Sequence, residues 1–166
     1  MSTTESVGPH IPPPQDQHRW LQQLIGAWTF EVQCGDDRFR GSENVRALGE
    51  LWIVGEGRGP TLNGNEARNI ITLGFDPARG RFVGTWVGSM MTHLWVYDGE
   101  LDASGRVLSL YADGPKMDAT GKPTGGTAKY KDVIEIISPN ERTLTGHMQD
   151  DKGEWLQLMK ATYRRA

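Results

Sequence analysis

A single cysteine, Cys34, stands in the 166 residues, so the chain cannot close a disulfide on itself. A small fold stapled by internal bridges is excluded, and a reducing compartment is permitted. Apolar runs are short, "LWIV" at 51–54 being typical, and none approaches the length of a membrane-spanning helix. Basic residues never form a run, and the formal net charge is -3. Neither feature steers the protein to nucleic acid or to a membrane surface. His10, His18, His93 and His147 are scattered, without the paired spacing of a zinc or iron site, so no metal is expected. No tandem repeat of solenoid or propeller period is present.

The opening stretch "MSTTESVGPHIPPPQDQ" has no basic start and no apolar segment of signal-peptide length. A cytoplasmic protein is the expectation. Residues 1–14 are polar and rich in proline, which predicts a flexible arm, with docking of "IPPP" on a partner as the alternative. From residue 15 to 166 a single domain is expected. "PQDQHRWLQQLIGAW" places Trp20, Leu21, Leu24 and Ile25 at helical spacing before Gly26, a helix of about two turns closed by glycine.

After Trp28 the pattern is β throughout. Runs such as "WTFEVQC", "SENVRAL", "ELWIVGEG", "THLWVYDGEL" and "AKYKDVIEII" are separated by "CGDDRFRG", "GRGPTLNGN", "DPARG", "DASG", "DGPKMDATGKPTGG", "SPNE" and "DDKG". Each break holds the Gly, Asp, Asn or Pro that a tight turn needs. The count is about ten strands joined mostly by short connections. The fold class expected is all-β: a closed, antiparallel, up-and-down barrel with one short N-terminal helix, wide enough to hold a cavity.

"LIGAW", a short helix ending in Gly-x-Trp at the first strand, resembles the opening motif of the calycins, which include lipocalins, fatty-acid-binding proteins and nitrobindin-like barrels. The resemblance implies that Trp28 plugs the closed end of the barrel, with Arg164 or Arg165 of the last strand across its ring. A guanidinium over an indole face has a physical basis. The blocks "GELWIVGEG", "TLGFDPARGRFVGTWVGSM", "LWVYDGELDASGRVLSL", "AKYKDVIEI" and "GEWLQLMKATYRR" are similar to a bacterial family catalogued as domain of unknown function 1579. That likeness spans about His18 to Arg165. It implies a calycin-like barrel and carries no catalytic residues to transfer.

Enzymatic motifs fail one by one. "GEGRGP" at 55–60 has Pro60 where a dinucleotide loop needs glycine. "GKPTGG" lacks the order of a phosphate loop, and Ser89 in "VGSMM" has no paired base. A single inward histidine could ligate haem, as in nitrobindin-like barrels, with His147 the first choice and His93 the second.

The acids on apolar strands are more informative. Glu56 is in phase with Trp52 and Val54, and Asp132 with Tyr130, Ile134 and Ile136. If those phases point inward, two carboxylates enter the barrel and need partners. They would then recognise a ligand, or simply bond to a tyrosine, an arginine or the backbone. In "THLWVYDGEL" the larger set, His93, Trp95 and Tyr97, is expected inward on volume. Leu94 and Val96 then face outward beside Val87 or Val83, an apolar stripe that a homodimer would cover. Met90 and Met91 belong near the barrel mouth.

The function these readings favour is an intracellular binding barrel for a small, mostly apolar molecule. Trp52, Trp86, Trp95, Met148 and Met159 supply walls, and Glu56, His93 and Asp132 supply polar contacts. The alternatives are a plugged barrel that acts through association, and a haem-binding or hydrolytic barrel with Asp132 or His93 as general base.

Overall fold

The computed structural model describes residues 8–61 and 63–166; the first half of the proline-rich arm lies outside them. One helix, α1 (Asp16–Gln22), precedes ten strands. These are β1 (Gly26–Cys34), β2 (Asp37–Leu48), β3 (Trp52–Pro60), β4 (Glu66–Asp76), β5 (Arg81–Gly88), β6 (Trp95–Leu101), β7 (Val107–Met117), β8 (Pro123–Ser138), β9 (Glu141–Gln149) and β10 (Trp155–Arg165). Each strand pairs with its sequence neighbour, and β1 pairs antiparallel with β10 to close the barrel. Closure removes both free sheet edges. No helix among the described residues is long and apolar enough to cross a membrane.

Two hairpins are longer than the turn chemistry suggests. "DRFRG" joins β2, with Asp37 opposite Cys34, and β7 and β8 extend to Met117 and Pro123. The turn between them is built on Asp118, whose carboxylate accepts from the Thr120 hydroxyl and the Thr120 and Lys122 backbone N–H groups. Turn-forming residues therefore sit inside paired strands here, because strand pairing, not composition, satisfies their backbone.

Helix α1 lies across one end. Leu21 and Leu24 are almost fully buried and join the core with Trp28, Ile53, Leu73, Phe82 and Leu108. Trp20 Nε1 donates to the Gly105 carbonyl at 2.7 Å, tying the helix to the β6–β7 turn. His18 is buried beside it. Its Nδ1 accepts from the Gln15 N–H at 2.9 Å, so its Nε2 carries the proton that meets the Phe75 carbonyl at 3.1 Å. Of the expected flexible arm, Pro12, Pro13 and Pro14 border a surface groove with Leu51, Trp52 and Phe75.

Trp28 is sealed beneath this cap. Its Nε1 donates to the Leu24 carbonyl at 2.9 Å. The Arg165 guanidinium lies 4.0 Å from the ring centroid and donates to the carbonyls of Ile25, Gln23 and Pro139. Arg164 points outward to Glu141. Gly26 has a φ of +134°, and a Cβ there would collide with Arg165 Nη1. Gly26→Ala is therefore expected to cost about 1–3 kcal/mol, the range for a side chain forced into such backbone. A lowered urea midpoint at unchanged slope is the readout.

Candidate functional site

Away from the helix the interior is not filled. A cavity of about 270 Å³ runs from Leu24, under the cap, to Phe39, Pro60 and Met90 at the opposite strand ends. Its walls are mainly aliphatic and aromatic: Val45, Ile53, Ile71, Leu110, Ile134, Leu144 and Trp86. Gly55, Gly57 and Gly59 of β3 alternate in phase with buried Ile53. The Ile71 and Asn69 side chains of β4 lie over Gly55 and Gly57, and Gly59 is the one of the three that lines the cavity. A Cβ at Gly59 would meet the Phe30 ring no closer than 3.5 Å, which leaves room beside it. The segment "GEGRG" is thus a barrel wall, and its glycines make space for whatever lies against them.

Two polar clusters enter this apolar space. In the first, Arg142 Nη2 donates to Glu43 Oε1, and only 4% of Arg142 and 8% of Glu43 is exposed, so water screens the pair little. The guanidinium carbon stands 3.9 Å from the Tyr163 ring centroid and 4.8 Å from that of Trp28. Trp28 is thus held against two guanidiniums, from Arg165 and Arg142. Arg142 Nε has no hydrogen-bond partner among the described residues. Burial, then the Glu43 charge, pushes the Tyr163 phenol well above its ordinary value, so it stays a neutral hydroxyl.

In the second cluster the Tyr97 hydroxyl donates to Asp132 Oδ2. Burial pushes the Asp132 carboxyl up, and the Tyr97 hydrogen bond and the nearby His147 hold it back in part. Burial and the Asp132 charge together raise Tyr97 well above the usual phenol range. Asp132 stands opposite Gly146 on β9. A Cβ at that glycine would lie 3.3 Å from Asp132 Oδ1 and 3.1 Å from Met159. Gly146 is therefore closely covered by Met159 and by the Asp132 carboxylate, with no room for a side chain of its own.

Of the residues expected to form a site, Trp86, Asp132 and Met159 line the cavity. The strand carrying Trp95 has the expected phase: Tyr97 is buried, whereas Leu94 and Val96 are exposed on the outer face. Trp95, however, is spent at the mouth. Its ring packs edge-on against Tyr130 at 4.6 Å and His93 at 4.7 Å, and Nε1 donates to the Met91 sulfur at 3.1 Å. His93 hydrogen-bonds the Asp113 carbonyl at 2.9 Å. Met148, between Tyr130 and Leu156 on neighbouring strands, does not line the cavity.

Two positions correct the phase considered for β3. Trp52 and Glu56 lie on the outer face, both exposed, because the buried parity is Ile53, Gly55 and Gly57. Trp52 covers Gly74 of β4 from outside. His147 also belongs to the outer parity, opposite Lys131, whose carbonyl it meets at 3.2 Å. Neither His147 nor His93 is among the described residues that line the cavity. Among the described residues no three His, Cys, Asp or Glu side chains converge as metal ligands. Glu43, Arg142 and Asn69, which line the cavity, escape a reading by hydropathy. Their only signal is parity with Val45, Leu144 and Ile71.

The barrel is similar to several solved structures, among them two that cover nearly the whole chain. The S-type phycobiliprotein lyase CPES from Guillardia theta is 13% identical, with a TM-score of 0.56, covering 92% of this chain and 98% of that one. Rv2717c from M. tuberculosis is 12% identical, with a TM-score of 0.56 and the same coverage of 92% and 98%. Such distant likeness speaks for the fold alone. No curated protein matches the sequence. The model of the family described as "Protein of unknown function (DUF1579)" matches residues 13–165, and the chain belongs to that family.

Proposed function

We propose that this protein is an intracellular binding barrel for a small, mostly apolar molecule. The observation that carries the reading is the unfilled interior: about 270 Å³ of mainly apolar space, reached by Gly59 of β3 without a side chain. A cavity of about 150 Å³ takes benzene and stays dry, so this one suits a bicyclic or short-chain compound. The exposed, unpaired Cys34 fits a reducing cytoplasm.

Naphthalene titrated into the protein should quench tryptophan emission through Trp86 with micromolar affinity. Gly59→Leu fills the open wall beside Phe30. It should abolish that quenching without lowering the melting temperature. Wild-type protein that leaves naphthalene unbound to its solubility limit overturns the reading.

A second reading rests on the outer face. Ile70 and Val87 are opposed in register, and they, Leu94 and Val96 are each at least two-fifths exposed. This stripe supports association of two barrels. Sedimentation equilibrium tests it: a dimer that Val96→Glu dissociates supports it, and a monomer at high concentration removes it.

A further inference from the structure

We propose that the molecule held in this cavity carries an N–H or O–H donor on its apolar body, which it presents to Asp132, and that the site rejects carboxylate ligands. The inference rests on the binding reading and names the chemistry of the ligand. Arg142 is the one cation among the described residues that line the cavity. It is engaged by Glu43 and stacked on Tyr163 and Trp28. Its charge is balanced by Glu43, and its one unpartnered nitrogen, Nε, is itself buried away from the cavity surface, so no accessible cation remains to receive an anionic head group. With Glu43 and Asp132 both on the lining, the interior holds one carboxylate more than it has cations.

Asp132 is the group left wanting. Tyr97 gives its proton to Oδ2, and no donor among the described residues meets Oδ1. A carboxylate oxygen in an apolar wall without a donor is costly, and a ligand that brings one recovers that cost. Asp132 lines the cavity beside Tyr97, Ile134 and Met159, so a ligand in the cavity reaches its carboxylate. Tyr97 itself offers only lone pairs to a ligand while its O–H is donated to Asp132. Both polar groups at this wall are therefore acceptors. A ligand carboxylate placed there would face acceptors and a like charge at short range.

Three probes with one ring system decide the matter: naphthalene, 2-naphthol and 2-naphthoate, titrated at neutral pH with tryptophan quenching as readout. The expected order is 2-naphthol tightest, by about tenfold over naphthalene, with 2-naphthoate weakest. In Asp132→Asn the amide oxygen accepts the Tyr97 O–H and the NH2 group turns to the cavity. The preference for 2-naphthol should then vanish and 2-naphthoate should gain affinity. The wild-type order is decisive even if that variant fails to fold. Equal binding of naphthalene and 2-naphthol, or tightest binding of 2-naphthoate, overturns this inference while the binding reading stands. Binding of none of the three overturns both.

Discussion

Trp28→Ala should lower the unfolding free energy by about 3–5 kcal/mol, among the largest effects of any single substitution in this chain. The ring is 2% exposed and its removal opens a void that the cap cannot collapse into. Leu24 is fixed from below by the same helix that His18 anchors to β4 and Trp20 to the β6–β7 turn. The loss has three parts. Buried indole surface goes, the hydrogen bond to the Leu24 carbonyl goes, and Arg165 and Arg142 lose the face they stack on. Trp28→Phe restores a ring without the N–H and should recover more than half of the loss. Urea unfolding monitored by circular dichroism measures both. A cost below about 1 kcal/mol for the alanine variant is incompatible with a buried plug.

Glu43→Ala should be comparably severe, at about 3–5 kcal/mol, because it strands the Arg142 guanidinium inside the barrel. That guanidinium already has one unpartnered nitrogen, and the substitution removes the carboxylate that balances its charge. Arg142→Met strands Glu43 in the same way. The informative variant is the double one, Glu43→Met with Arg142→Met. Two buried charges go together, two apolar side chains of similar reach replace them, and the cost should fall below that of either single change. The residual cost reports the stacking of Arg142 on Tyr163 and Trp28. A double variant as unstable as the two single losses added together would show that the charges act independently.

The barrel is legible in the sequence because its signals are local. Alternating apolar residues bounded by Gly, Asp and Pro clusters mark nearly every strand, and Gly26-Ala27-Trp28 marks the capped end. The phase of β6 is legible too, since Leu94 and Val96 are small against Trp95 and Tyr97. Parity on β3 is not. In "LWIVGEG" the eye follows Trp52 and Val54, yet the inward residues are Ile53 and two glycines that carry no hydropathy at all. An outward Trp52 is stable because Gly74 beside it lets the indole lie flat. Glu43 and Arg142 are hidden for another reason. Each is a charge on a strand, read by default as solvated. Only the closed topology brings β2 and β9 across the interior from one another, 99 residues apart. Trp86, Asp132 and Met159 could be named as lining from parity with apolar neighbours, whereas Gly59, which has no side chain, could not.

The seam between β1 and β10 also governs when the molecule can form. The hydrogen bond from Arg165 to the Gln23 carbonyl spans 142 residues, so closure waits on the final strand. A ribosome adding about 5–20 residues per second holds, for most of synthesis, an open curl whose first strand is an unpaired edge. Contacts of such long range are slow to reward the chain for making them. The nascent protein therefore spends its vulnerable interval with Trp28 and the glycine wall uncovered. Chaperones that shield strand edges have their natural moment there, before the last strand emerges and shuts the barrel.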